Sequence, residues 1–497
     1  MKPLLPRRTF LRDSAATATA LGLGKLVPVS LAATAARAAV DLPLPFWATA
    51  RRLPPGTWYE IPESNKASDV KPWTINPNKP RWLNLTDGPG EALNQWCGGA
   101  FSPDYATYGA LICHGNGHAQ SNVNLLNNMV LAWNGDTTQW EQVIEPWYDP
   151  DKCLPGGCTL PGKGNAAATL FWRQGDPGMN WAAGTPPNQA DPVRAQFGEY
   201  VDGVPAASHT YNHLEIVTAA MGGSPKGSLF KCALASPGVQ GGGFIFSPHI
   251  ADLSAKTWSR FNDTIMKAGD LNLGGAGCSA SDKRRGKIYY LPKSPRRPSA
   301  GCIAGLPVHD IATRTTGACI LAGTAANNLV TGIENGFSWV PHPADPNLDI
   351  VLNFVSTTTL LAMWAKDISA LNGYPGFWQC NVSETPRGGG RYGGFEWCEH
   401  LNAVCALEYI NWKTKEHPAQ LTLWKLAIPV DRVSGTYVWS GEPLTRSPYQ
   451  AGQPDQPADW GSVGSYNKFR YNRAARCFLL ATHENMRMRA FRPTGLI

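Results

Sequence analysis

An all-β fold is what this sequence predicts, on three observations. Charged residues make up only 16% of the 497, while Gly and Pro supply 92 and aromatics 50, including 19 Trp. That balance leaves little for the charged outer faces of helices and much for tight turns and bulky pleated surfaces. Stretches with a helical period are few, and short alternating runs rich in Val, Ile, Tyr, Phe and Trp recur between Gly, Asn, Asp and Pro turns. The third observation is internal repetition, which points to stacked copies of one small unit.

The N-terminus reads as a signal, not as part of the fold. Residues 1–38 carry Arg7 and Arg8, an Ala-rich apolar run, and then Ala36-Arg37-Ala38, the layout of a removable export peptide. The arginine pair followed by Thr9, Phe10 and Leu11 resembles the twin-arginine type, which implies export of an already folded chain to the periplasm or beyond. The apolar run is short and rich in Ala and Gly, so no stable membrane span is expected after cleavage. Of the 44 basic and 37 acidic residues, six and one fall in this segment, which leaves 38 against 36. A nearly neutral chain without runs of Lys and Arg has nothing to track a phosphate backbone, which excludes nucleic acid as a natural partner. The pairs Arg284-Arg285 and Arg296-Arg297 read as solvated turns.

Residues 39–497 are expected to form one domain built from repeats. "GRYGGFEWCEHLNAVCAL" from Gly390 aligns without a gap to "GSYNKFRYNRAARCFLL" from Gly464, matching Tyr392 with Tyr466, Phe395 with Phe469 and Trp397 with Tyr471. "SPDYATYGALIC" at Ser102 pairs with "SASDKRRGKIYYL" at Ser279 as strand, polar turn, strand. Trp133 and Trp140 flank "NGDTTQ", and "ADLSAKTW" ending at Trp258 has the same form, a strand that turns at Asp, Gly or Ser and returns into Trp. Such antiparallel units are apolar on both faces and bury them by packing radially around an axis.

Those motifs, with the glycine turn Gly115-Asn116-Gly117-His118 and the strand "PAASHTYNHLEIV" at Pro205, resemble the kelch and galactose-oxidase-like β-propeller superfamily, more narrowly exported bacterial propellers with a "GGGH" turn. The resemblance implies a β-propeller of six four-stranded blades, with seven as the alternative count. The expected blades run from Gly98 to Val143, Ser208 to Phe261, Gly274 to Cys319, Asp349 to Val382, Tyr392 to Leu444 and Trp460 to Arg492. "TWYEIP" at Thr57 is expected to complete the last blade and so remove an exposed edge. Residues 146–207, dominated by Gly, Pro, Asn and Ala, fit no blade and read as an ordered insertion between blades one and two. Twelve cysteines in an oxidising compartment allow disulfides, and Cys153 and Cys158 flank one short loop.

Candidate functional residues cluster in three places. His118, Asn122 and Asn124 follow the glycine turn, and His209 holds a comparable place in the next blade. They either satisfy carbonyls left free by a turn or border a pocket at the mouth of the ring. His114 falls in the strand and reads as a packed neighbour. Trp172 and Trp181 in the insertion are candidates for stacking on a sugar or peptide. Glu396 and His400, with Glu399 and Arg391 near Trp397, are the most suggestive acid–base cluster, although alignment with Arg470, Arg473 and Ala474 also reads as a variable, solvent-facing turn.

The family resemblance raises copper, with His118, His209, His213 and His400 as imidazoles and Cys97, Cys113 or Cys278 as a thioether partner. The adjacent Tyr-His pair of that chemistry is absent from the chain. No cofactor is therefore predicted, copper or another divalent metal staying open. The expected role is recognition of a small molecule, glycan or protein at one face of the ring. The alternative is a metal-dependent oxidase or a carbohydrate-active hydrolase or lyase using that face.

Overall fold

The structure is a computed structural model. It describes residues 46–70, 97–114, 129–145, 203–205, 210, 212–232, 245–246, 248–262, 266–267, 277–291, 306–319, 336–356, 359–365, 377–383, 394–408, 421–448, 465–482 and 485–496. One short helix, α1 (Phe46–Arg52), precedes an all-β body. Among the described residues no helix is long and apolar enough to cross a membrane.

Strand β1 (Thr57–Glu60) is followed by β2 (Gly98–Ser102), β3 (Ala110–His114), β4 (Val130–Asn134) and β5 (Gln139–Ile144), which pair in that order as a four-stranded antiparallel sheet. A second sheet has β6 (Leu214–Val217), β7 (Ser228–Lys231), β9 (His249–Asp252) and β10 (Thr257–Arg260). Between them β8 (Ile245–Phe246) pairs only with β11 (Met266–Lys267). The third sheet is β12 (Cys278–Asp282), β13 (Lys287–Leu291), β14 (Leu306–Asp310) and β15 (Thr315–Cys319). The fourth is β16 (Gly336–Val340), β17 (Ile350–Ser356), β18 (Thr359–Trp364) and β19 (Trp378–Gln379). After β20 (Asn381–Val382) come β21 (Phe395–Cys398), β22 (Ala403–Glu408), β23 (Leu421–Ala427) and β24 (Thr436–Arg446), then β25 (Phe469–Asn472), β26 (Cys477–Leu480) and β27 (Arg489–Arg492).

These last strands join β1 in one nine-stranded sheet, ordered β21-β22-β23-β24-β1-β27-β26-β25, with β20 on β24. β1 lies antiparallel to β27, Trp58 opposite Phe491, so the N-terminal strand supplies the outer edge beyond the C-terminal one. It also pairs in parallel with β24 through Thr57 and Trp58, which fuses two four-strand groups that elsewhere stay separate.

The arrangement is propeller-like. The first strand of each group neighbours the next, β2 beside β6, β6 beside β12, β12 beside β16, β16 beside β21, β21 beside β25, and β25 beside β2 again. Apolar clusters fill the spaces between consecutive groups. Ile112 and Ala132 meet Leu214 and Leu229 between the first and second sheets, and Phe354 and Leu360 meet Phe395 and Trp439 between the fourth sheet and β21–β24. Close approach there demands small residues. A Cβ on Gly336 would lie 2.5 Å from Phe395 Cβ, and one on Gly394 would meet Phe469 Cβ. The aligned phenylalanines Phe395 and Phe469 thus each fill a space that a glycine on the preceding group leaves empty.

The repeated polar turns have one geometry. Asp252 Oδ1 accepts from the backbone N–H of Ser254 and Ala255, both at 2.8 Å, and Asp282 Oδ1 does the same for Arg284 and Arg285 at 3.0 and 3.1 Å. Asn472 Oδ1 accepts from Ala475 N–H at 3.0 Å. The residue before the returning strand is left-handed, with φ 59° at Lys256, 52° at Arg314, 53° at Arg476 and 63° at Gly286. An Asx side chain that mimics a backbone turn explains why Asp or Asn opens these hairpins. Trp133 and Trp140 lie directly opposite each other across one of them.

Two sequence expectations need correction. The fourth sheet begins at Gly336, not at Asp349, because "GFSWV" is its first strand and a long turn, Pro341–Asp349, separates it from the second. Arg284 and Arg285 are not simply solvated: 35% and 15% of their side chains are exposed, and both are ion-paired. Arg284 Nη1 and Arg285 Nη1 donate to the Asp349 carboxylate at 2.9 and 3.1 Å, and the Asp349 side chain has no exposure. They tie the turn after β12 to the start of β17 in the neighbouring sheet. Residues 146–202 lie outside the described residues, and so do Cys153 and Cys158.

Candidate functional site

On the axis of the ring lies a cavity of about 400 Å³. Apart from Phe337, its wall repeats in three tiers, each taking one residue from each of β2, β6, β12, β16, β21 and β25 or the turn that follows it. The deepest tier is Ala100, Glu215, Ala280, Ser338, Glu396 and Arg470. Next come Phe101, Ile216, Ser281, Trp339, Trp397 and Tyr471. At the hairpin end stand Pro103, Thr218, Lys283, Pro341, Glu399 and Arg473. Equivalent positions on six strands around one axis make a ring of side chains at each level.

The deep tier concentrates charge on three strands and leaves the others small. Arg470 Nη1 donates to Glu396 Oε2 at 2.6 Å, with 9% and 17% of the two side chains exposed. Its Nε donates to Asn467 O at 2.8 Å, and its Nη2 reaches Gly99 O at 3.2 Å and Leu214 O at 3.4 Å. The guanidinium therefore braces β25 against β21, β2 and β6. Burial alone would lower the Arg470 pKa, but Glu396 and Glu215 raise it above its ordinary value, so the group stays charged.

Glu215 stands on β6, three strands round the ring from β21 in either direction, so it faces Glu396 across the axis. Ser279 Oγ donates to Glu215 Oε1 at 3.0 Å. Burial pushes the Glu215 carboxyl up, Arg470 and Ser279 pull against it, and Glu396 adds to the rise. Two carboxylates on one cavity thus have different surroundings, one paired with a guanidinium and one buried beside a hydroxyl.

His400 lies just beyond the wall. Tyr471 Oη and His400 Nδ1 share a hydrogen bond of 2.7 Å, which fixes the phenol that lines the middle tier. Burial raises the Tyr471 pKa, with Cys398 and Glu399 adding to the effect. At the mouth Glu399 pairs with Arg473 at 3.0 Å, the latter 76% exposed. The alignment of the two repeats therefore holds a complementary pattern, Glu396 with Arg470 and Glu399 with Arg473 at matched positions. The solvent-facing alternative fits the outer pair and fails for the inner one.

His118, Asn122, Asn124, His209, Trp172 and Trp181 lie outside the described residues. His114 is fully buried against Trp258, ring centroids 4.8 Å apart, as a packed neighbour. Its Nδ1 faces Met129 O at 3.1 Å and its Nε2 lies 3.3 Å from Lys231 Nζ. Burial holds His114 well below its ordinary value and lowers Lys231 to about 7. A neutral ring that donates from Nδ1 leaves Nε2 to accept from the lysine. His213 packs edge-on to Tyr290 at 6.0 Å. Among the described residues no group of three His, Cys, Asp or Glu could hold a metal ion. Cys97, Cys113, Cys232, Cys278, Cys380, Cys398, Cys405 and Cys477 are free thiols and all buried. Burial pushes Cys113, Cys380 and Cys398 up to about 12.

Sequence reasoning missed Glu215, Ser279 and Arg470. The signal for Glu215 is a single acid inside the apolar run "LEIV", a strand buried along its whole length. The signal for Arg470 is its alignment with Glu396, opposite charges at one repeat position.

No protein-family model and no curated protein matches the sequence. Among solved structures the chain is similar to one in the crystal structure of the mitotic checkpoint complex, at 10% identity over 94% of this chain and 98% of that one, with a TM-score of 0.31. Likeness at that score bears on neither chemistry nor partner.

Proposed function

We propose that the protein is a six-bladed, kelch-like β-propeller, exported by the twin-arginine route, that binds an oligosaccharide in its axial cavity. The observation that carries the reading is the three-tiered wall, in which one residue from each of six first strands recurs at each level. On this reading β25, β26, β27 and β1 form the sixth blade, supported by the pairing of β1 with β27. The ligand class follows from the lining. Phe101, Trp339, Trp397 and Tyr471 offer flat faces for the C–H surfaces of a pyranose, and Glu215, Ser338, Glu396 and Arg470 offer donors and acceptors for its hydroxyls. Export of a folded chain suits eight buried free thiols, which fold before they meet an oxidant.

The test is retention of the mature protein on an array of neutral and acidic oligosaccharides, compared with Trp397→Ala. Binding that falls at least tenfold in a variant with an unchanged unfolding midpoint supports the axial site. Binding that the substitution leaves unchanged moves the site elsewhere on the ring. Export is checked separately: Arg7→Lys with Arg8→Lys should hold the full-length chain in the cytoplasm.

A further inference from the structure

We propose that the axial cavity hydrolyses glycosidic bonds, with Glu215 as the acid and Glu396 as the base. The assignment rests on the reading of the cavity as an oligosaccharide site and adds chemistry to it. Its basis is the placement of the only two acids of the deep tier on opposite strands, with the cavity between them. Hydrolysis of an acetal needs a proton for the departing oxygen on one side of the sugar and a carboxylate to activate water on the other.

The surroundings divide the roles. Glu215 is 6% exposed and its Oε1 is held by Ser279 Oγ, which leaves Oε2 to carry a proton toward the cavity. Burial raises its pKa, which favours the protonated form that a general acid needs. Glu396 accepts from the Arg470 guanidinium on Oε2, which leaves Oε1 for water. The neighbours Ala280 and Ser338 are small, and the Arg470 guanidinium, held between Glu396 Oε2 and Leu214 O, borders the space they leave. Trp397 and Tyr471, one position further along β21 and β25, supply the stacking surface.

In the step itself, the Glu215 proton passes to the bridging oxygen as its bond to the anomeric carbon breaks. Water adds to that carbon, and Glu396 takes the proton that water loses. The products are a hemiacetal and an alcohol, and return of the proton from Glu396 to Glu215 through solvent restores the site. Neither an oxidant nor a metal enters the balance.

The experiment uses the mature chain with 4-nitrophenyl glycosides and with unmodified oligosaccharides retained on the array. Glu396→Gln should lower hydrolysis of both by about 100-fold or more, the usual contribution of a positioned base. Glu215→Gln should lower hydrolysis of the unmodified oligosaccharides by a similar factor, remove the basic limb of the pH profile, and spare the nitrophenyl substrates, whose leaving group needs little protonation. Both variants are near-isosteric, and the split between the two substrate sets in Glu215→Gln is a result that a merely structural role would not give. A wild-type chain that binds oligosaccharides but hydrolyses neither set overturns the hydrolytic assignment and leaves the binding reading standing. Variants that stay within a few-fold of wild type overturn it as well. A cavity that binds no oligosaccharide overturns both.

Discussion

Arg470 is the residue whose removal should reveal how the ring is held at its axis. Its guanidinium makes one hydrogen bond to a carboxylate and three to backbone carbonyls, on Asn467, Gly99 and Leu214. Arg470→Ala strands all four acceptors. A hydrogen bond involving a charged group contributes about 1.5–3 kcal/mol, and breaking a buried ion pair from one side costs about 3–5 kcal/mol. Water entering the cavity rehydrates part of Glu396, so the loss should fall inside the second range instead of reaching the sum of four bonds, about 3–5 kcal/mol. The exposed pair Arg473–Glu399 is the internal control, since Arg473→Ala should cost about 0–1 kcal/mol. Entropy of unfolding grows with length, so a chain of this size shifts its melting temperature by only about 1 °C per kcal/mol. Urea unfolding at constant slope is therefore the better assay. Glu396→Ala and the double variant complete a cycle, in which a coupling of about 1–3 kcal/mol is expected. A loss for Arg470→Ala no larger than for Arg473→Ala, or a coupling below about 0.5 kcal/mol, would refute the brace.

Three further outcomes follow from the same contacts. The raised Glu215 pKa means the folded chain holds that proton more tightly than the unfolded one, whose ordinary value is 4.5. Its stabilising effect is full below 4.5 and is lost as pH rises through the folded value, so Glu215→Gln should gain stability relative to wild type from acid to neutral pH, by about 1.4 kcal/mol per unit of elevation. Unfolding midpoints of the two proteins across pH check the sign, and parallel profiles would contradict it. Asp349→Ala removes the acceptor shared by Arg284, Arg285 and the His342 N–H, and should cost about 3–5 kcal/mol in urea unfolding. Gly394→Ala places a Cβ against Phe469 and should cost about 1–3 kcal/mol by overpacking, whereas Gly286→Ala, whose Cβ meets open space, should cost about 1–2 kcal/mol, the strain of a left-handed alanine.

The fold was legible where local chemistry repeats. Asp252, Asp282 and Asn472 each open a hairpin by accepting their own downstream N–H groups, so the turn is written into four or five consecutive residues. The pairing of Trp133 with Trp140 is equally local. The fourth sheet was less legible because its first turn, Pro341–Asp349, holds its shape through Asp349 and distant Arg284 and Arg285, partners some 65 residues back in the chain. Nothing near Gly336 announces that contact. The parallel pairing of β1 with β24 is of the same kind, since it joins Thr57 and Trp58 to Thr445 and Arg446, far along the chain.

The site divides along the same line. Glu396 could be singled out from its neighbours Trp397, Glu399 and His400, but its meaning depends on Arg470, which is 74 residues away and whose charge first read as evidence against a site. An alignment read only for sameness counts a Glu opposite an Arg as a variable position. In a closed ring the aligned positions of neighbouring repeats are also spatial neighbours, so opposite charges there are a contact. The same rule makes Glu215 legible. It occupies the position equivalent to Glu396 and Arg470 on a third strand, and once the ring order is known the two acids must face each other. For a ring of repeats, the informative reading of an alignment is therefore down each column at the inward-facing position. There the column Ala100, Glu215, Ala280, Ser338, Glu396, Arg470 already sorts the chain into small, acidic and basic sectors of a single cavity.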